Sequence, residues 1–281
     1  MKIFLYLLIL FISTVSPATT VQKFVTVPIQ NANESYSVNT LFITDSKYIR
    51  PPLVVISHGS PLDPSYRRRM VPQQLLPQAM KFVELGFAAL IVERRGYGHS
   101  KENFEEIVGD CDHRDNIASG RIASSDILGA LDFAEKNLQI NNSNVILVGH
   151  SAGGFSSIFA SGYGFHGVKA VINFAGGRGA DGCSRQNVLS AFAFVGKMSR
   201  IPTFWIYNEN DKAFPPNIAK QMLNSFKSTG GQAELKMLPA FGRDGHSLFS
   251  DVAGIPIWLP ITKDFLLSVN SCPLCIPNTR F

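Results

Sequence analysis

The chain has 281 residues, 45% of them apolar and 17% charged, a balance that excludes intrinsic disorder and leaves enough apolar material for one buried core. Its net charge of +5 is gathered in local clusters, Arg67 to Arg69 and the pair Arg94 and Arg95 among them. With no basic stripe interleaved with exposed aromatics, nucleic acid is not an expected partner.

Met1 and Lys2 precede an apolar run from Ile3 to Ile12, followed by small and turn-forming residues through Ser16, Pro17 and Ala18. That is the anatomy of a secretory signal peptide, with cleavage expected after Ala18. The alternative, an uncleaved anchor, needs a longer apolar run, about 20 residues. No cysteine stands near the cut for lipid attachment. Residues 1–18 are therefore expected to be a leader and 19–281 one exported domain, periplasmic or extracellular, with no membrane span.

Lys23 to Ile29 and Tyr36 to Ile43 carry β-branched and aromatic residues around an Asn-rich break, as in an antiparallel pair. Then the pattern changes. Leu53 to Ser57, Phe87 to Val92, Val145 to Val148, Val168 to Phe174 and Thr203 to Tyr207 are short, nearly continuous apolar runs, the mark of strands covered on both faces. Between them lie stretches with apolar residues at three and four spacing: Gln73 to Leu85, Ile117 to Asn137, Ala152 to Ala160 and Pro216 to Ser228. Ala233 to Leu238 reads as a last strand and Ile261 to Val269 as a terminal helix. The expected class is α/β, a mostly parallel sheet flanked by helices. The stretch Gly176 to Ser199 exceeds a usual connection and is either a small cap over the site or an ordinary loop and helix.

Four cysteines in an exported chain favour disulfides. Cys272 and Cys275 share a C-P-L-C run, and Cys111 and Cys183 lie in Gly-rich polar segments on one edge of the expected sheet. Of three possible pairings, Cys111 with Cys183 and Cys272 with Cys275 is the favoured one, the alternative for Cys111 and Cys183 being two buried thiols. No second C-x-x-C and no H-x-x-x-H is present, so neither a metal nor another cofactor is expected.

Gly149-His150-Ser151-Ala152-Gly153 follows the strand Val145 to Val148 and opens a helix. A serine on such a sharp turn is forced clear of the sheet, and only small neighbours let the chain double back so closely. A serine hydroxyl is a poor nucleophile at neutral pH and needs a base, and the base needs a third group to orient it. After Ser151 only His166 and His246 remain as histidines. His166 precedes a strand, on the wrong edge of the sheet, whereas His246 follows the last strand and is the candidate base. Asp211, directly after the strand Thr203 to Tyr207, is the candidate acid; Glu209 competes, and Asp244 is too near His246 in sequence. The candidate oxyanion donors are the N–H of Ala152 and that of Ser60, with Gly59 as fallback, since Pro61 has none. His58 is expected to pack beneath that loop.

H-G-S-P from His58, E-R-R-G-Y-G-H-S from Glu93, G-H-S-A-G-G, N-E-N-D and D-G-H-S together resemble the α/β-hydrolase superfamily, nearest its dienelactone-hydrolase and esterase-like branches, over nearly the whole mature chain. The resemblance implies that superfamily's sheet order and an acyl-enzyme mechanism carried by Ser151, Asp211 and His246 on a small ester substrate. Two departures stand out: a serine where true dienelactone hydrolases have cysteine, and no H-G-G-G in the oxyanion loop. The other readings are a prolyl-oligopeptidase-like peptidase, weakened by the lack of a propeller-like segment, and a binding protein that keeps the fold without catalysis. The Arg67 to Arg69 cluster either attracts anionic substrates to the pocket mouth or is a solvated surface.

Overall fold

A computed structural model describes residues 19–30, 35–179, 182, 183 and 185–275. The expected leader, 1–18, and the Asn-rich break at 31–34 lie outside the described residues. Eight strands form one sheet: β1 (Thr20–Gln30), β2 (Ser35–Asp45), β3 (Pro52–Ser57), β4 (Ala88–Glu93), β5 (Asn141–His150), β6 (Val168–Phe174), β7 (Thr203–Asn208) and β8 (Ala233–Leu238). Their order across the sheet is β1-β2-β4-β3-β5-β6-β7-β8. β2 pairs antiparallel with both β1 and β4, and all other pairs are parallel.

The unbroken apolar runs of the central strands serve two cores at once, because successive side chains leave opposite faces of a strand. Leu53 and Val55 of β3, Val145 and Leu147 of β5, and Ala88, Leu90 and Val92 of β4 go to one face. Val54 and Ile56, Ile146 and Val148, and Ala89 and Ile91 go to the other. The first face is covered by α2 (Asn116–Asn137), α3 (Ala152–Gly162), α4 (Arg185–Met198) and α5 (Pro216–Ser228), the second by α1 (Leu76–Glu84) and α6 (Ile255–Ser268).

Of the Gly176 to Ser199 stretch, the described residues from Arg185 to Met198 form an ordinary helix. α4 buries Val188, Ala191, Phe192 and Val195 in the first core, with the Phe192 ring 5.2 Å from Trp205 and 5.3 Å from Phe155. It is the crossover helix between β6 and β7, and no cap is formed by it.

Two helix starts differ from expectation by more than one residue, both at prolines. α1 begins at Leu76, not Gln73, because Pro72 starts a separate 3-10 turn and Pro77 occupies the first turn of the α-helix. α6 begins at Ile255 and runs through Pro260, where the pattern suggested a start after the proline. Trp258 holds it there: fully buried, its ring lies 5.9 Å from Phe82, 5.5 Å from Phe174 and 5.4 Å from Phe249. Burial of this aromatic set outweighs the backbone hydrogen bond a proline forfeits. Among the described residues, no helix is long and apolar enough to cross a membrane.

Candidate active site

The carboxyl ends of the parallel strands converge on one edge, where loops from β3, β4, β5, β6, β7 and β8 meet. Ser151 stands between β5 and α3 with φ 55° and ψ −123°, left-handed backbone that a serine adopts only when its surroundings impose it. Its N–H donates to Phe174 O at 2.9 Å, and its carbonyl accepts from the N–H groups of Phe155 (3.1 Å) and Gly177 (3.2 Å). The flanking glycines are steric necessities. A Cβ on Gly149 would lie 2.2 Å from Gly153 O, and one on Gly153 would lie 2.2 Å from Ser57 O.

His246 follows β8 in a short 3-10 turn, and Asp211 follows β7. His246 Nδ1 lies 3.1 Å from Asp211 Oδ1 and 3.2 Å from Oδ2, and the carboxylate is buried. Asp211 is itself fixed, its Oδ1 accepting from the N–H groups of Ala213 (2.9 Å) and Phe214 (2.8 Å). Neither competitor takes this place: Asp244 caps the turn that carries His246, accepting from the His246 and Lys212 N–H groups, and Glu209 bonds through its backbone to Leu238 O. His166 is exposed in the turn that leads into the amino end of β6, remote from the converging loops.

The step from the pair to the serine runs through His150. Its Nε2 donates to the His246 carbonyl at 2.7 Å, and the two rings lie 5.0 Å apart, so the residue before Ser151 tethers the loop bearing the imidazole. Among the described residues Ser151 Oγ has no hydrogen-bond partner; a turn about its Cα–Cβ bond is the motion available to it. Ser151 and Ala152 open onto a cavity of about 260 Å³ that Ser60, Leu62, Ile107 and Phe214 also line. Gly59 passes so near that a Cβ there would lie 3.2 Å from Ser151 Cβ. Among the described residues the N–H groups of Gly59, Ser60 and Ala152 have no acceptor.

His58 does pack beneath the loop that follows β3. Its Nδ1 donates to Gly59 O at 2.7 Å and its Nε2 accepts from the Arg94 N–H at 3.2 Å. Burial, with the Arg94 charge second, pushes this imidazole down to about 3. His150 is also pushed to about 3, by burial first and His246 second. Both rings stay neutral in the fold where a solvated histidine would protonate, so the unfolded chain binds protons the native one refuses. The stability they confer is complete above about pH 6.5 and is lost as pH falls from there toward 3. Each costs on the order of 2 kcal/mol by pH 5. The expected result is a denaturant midpoint markedly lower at pH 5 than at pH 7; equal midpoints would mean that both rings protonate freely in the folded protein.

No protein-family model and no curated protein matches the sequence. Solved structures do match. A cold-adapted esterase from an Arctic intertidal metagenomic library superposes with a TM-score of 0.61 at 13% identity, over 90% of this chain and 94% of its own. An acetyl xylan esterase from Paenibacillus sp. R4 gives 0.61 at 16% identity, over 90% and 89%. The chain has the α/β-hydrolase fold. An acylaminoacyl peptidase from Pyrococcus horikoshii shares it (0.62, 15% identity), matching 88% of this chain but only 41% of that longer protein. None of these three is a dienelactone hydrolase, so the finer branch remains a resemblance of motifs.

In this α/β-hydrolase fold several site residues were invisible in sequence. Arg94 and Glu106 are fully buried and paired at 2.5 Å (Nε to Oε1), and Arg94 also donates to Ser57 Oγ (2.7 Å) and His58 O (2.5 Å). Glu106 Oε2 accepts from Arg178 (2.5 Å) and the Tyr97 hydroxyl (3.0 Å), and that hydroxyl lies 2.9 Å from Ser60 Oγ. Burial alone would raise the Glu106 carboxyl; Arg94 and Arg178 outweigh it and hold it at about 2. Two arginines directly after a fully buried strand were the available signal, since buried charges require partners. The favoured pairing of cysteines is present, Cys111 with Cys183 (Cα atoms 4.8 Å apart) and Cys272 with Cys275 (5.4 Å). The first ties the loop bearing Glu106 to the loop bearing Arg178, across 72 residues of chain. In the loop-entropy account such a closure contributes about 4 kcal/mol.

Proposed function

We propose that this protein is an exported serine hydrolase acting on carboxylic esters, with Ser151 as nucleophile, His246 as base and Asp211 as the group that orients it. The observation that carries this reading is the His246–Asp211 pair, whose loop is tethered by His150 to the strand-to-helix turn that forces Ser151 to φ 55°. With the carboxylate on Nδ1, that nitrogen carries the proton and Nε2 is free to accept one. As the Ser151 hydroxyl turns toward Nε2, Oγ attacks the ester carbonyl carbon and the imidazole takes the hydroxyl proton. The carbonyl π-electrons move to oxygen, where the N–H groups of Ala152 and Ser60 receive the developing negative charge. Collapse expels the alcohol, which leaves with the proton from His246. Water then attacks the acyl-enzyme by the same route, giving the acid and restoring Ser151. Catalytic hydrogen bonds are often open in free enzymes, so the unengaged Ser151 hydroxyl fits this scheme.

The fold neighbours include esterases and a peptidase. An ester is favoured because the cavity is small and the peptidase matches over less than half of its length. Export is supported by the leader-like residues 1–18 and by two disulfides, which persist in oxidising compartments. A fluorophosphonate probe tests the enzyme reading: labelling should map to Ser151 by peptide mass. Folded protein that takes up no label would leave the non-catalytic reading in its place.

A further inference from the structure

We infer that the substrate carries a carboxylate near its scissile ester, held by Arg67 and Arg178. The inference deepens the hydrolase reading and rests on it for the reaction, though not for the anion.

The cavity at Ser151 is lined by three arginines, Arg67, Arg114 and Arg178, against one carboxylate, Glu106. That carboxylate is already shared. Arg94 and Arg178 both pair with it, so this buried group carries two positive charges against one negative. Arg114 is anchored through Nε to the Asp110 carbonyl at 3.3 Å and sits near the Asp110 carboxylate, so it contributes less.

Arg67 is different. Among the described residues no carboxylate lies within ion-pair distance of it, yet its guanidinium is fixed 3.6 Å over the Phe104 ring. A cation stacked on an aromatic face keeps its in-plane N–H fork available. Moreover, Arg67 Nε and Arg178 Nε are both buried with no hydrogen-bond partner among the described residues. An orphaned buried donor is costly, and each of these marks an arginine of the cavity lining with a donor that the described residues leave unmet. A planar carboxylate suits guanidinium forks, and its charge offsets the surplus the cavity carries. Leu62, Ile107 and Phe214 supply apolar wall for a short carbon chain between that carboxylate and the ester. Ser60 is linked to the same network through Tyr97 and Glu106, so the anion-binding arginine and the oxyanion loop share one scaffold.

Two matched ester pairs provide the test. The first sets mono(4-nitrophenyl) glutarate against 4-nitrophenyl valerate, with the charge on the acyl side. The second sets 3-carboxyphenyl butyrate against phenyl butyrate, with it on the alcohol side. In at least one pair the charged ester should have a kcat/KM at least tenfold higher at low salt. Arg67→Gln should cut that preference at least fivefold, mainly through KM, and Arg67→Lys, which keeps the charge without the fork, should fall between. Arg67 holds no buried acid, so neither variant strands a charge in the core. Glutarate alone, titrated calorimetrically, should bind saturably to the wild type and at least fivefold more weakly to Arg67→Gln. Equal rates within both pairs would overturn the inference and leave the hydrolase reading intact. If no ester turns over, the hydrolase reading falls and glutarate binding alone decides: Arg67-dependent binding supports the anion site, and no binding overturns it.

Discussion

Ser151→Ala should lower kcat/KM on a short-chain 4-nitrophenyl ester by about a millionfold, to what the remaining site gives over water. The size of the loss follows from the absence of a substitute. The other cavity hydroxyls are engaged, Ser60 Oγ with Tyr97 and Ser119 Oγ with the Asp115 carbonyl at 2.8 Å, and neither lies on the turn tethered to His246. Alanine tolerates φ 55° about as poorly as serine, so the variant should fold with a thermal midpoint close to that of the parent. Turnover that survives the substitution, in folded protein free of contaminating esterase, would remove Ser151 from the mechanism.

Asp211→Asn should cost about 10⁴-fold in kcat with little change in KM, because the amide can hold the wrong tautomer and carries no charge. The direction follows from two backbone contacts. Oδ1 accepts from the N–H groups of Ala213 and Phe214, so an asparagine must keep its carbonyl oxygen there and turn its NH₂ into the place of Oδ2, 3.2 Å from His246 Nδ1. The NH₂ then competes with Oδ1, 3.1 Å away, for Nδ1. Where it donates to Nδ1, the proton sits on Nε2, the nitrogen proposed to receive the serine hydroxyl proton, and in either arrangement the charge that would stabilise an imidazolium is gone. A loss below tenfold would show that the tautomer is set elsewhere.

Much of this architecture was legible because the relevant forces are local. Apolar runs such as Val145 to Val148 can be satisfied only by burial on both faces, and the glycines around Ser151 announce a turn that excludes any Cβ. The pairing of His246 with Asp211, chosen over Glu209 and Asp244 on position along the chain, is what the folded loops present. The helix through Pro260 went the other way. Local propensity argued for a break there, and the contacts of Trp258 with Phe82, Phe174 and Phe249 decided the matter.

By itself the sequence determined the alternation of strands and helices and the small-residue turn at Ser151, both carried by neighbours within a few positions, and it offered Asp211 and His246 as candidates by their places after later strands. Only the tertiary structure decided that Glu106 lies between Arg94 and Arg178, that His150 tethers the His246 loop, and that Arg67, stacked on Phe104, has no carboxylate at ion-pair distance among the described residues. Charge pairing in a buried site depends on distance in space. Residues 72 positions apart meet there only after the sheet has brought its loops to one edge.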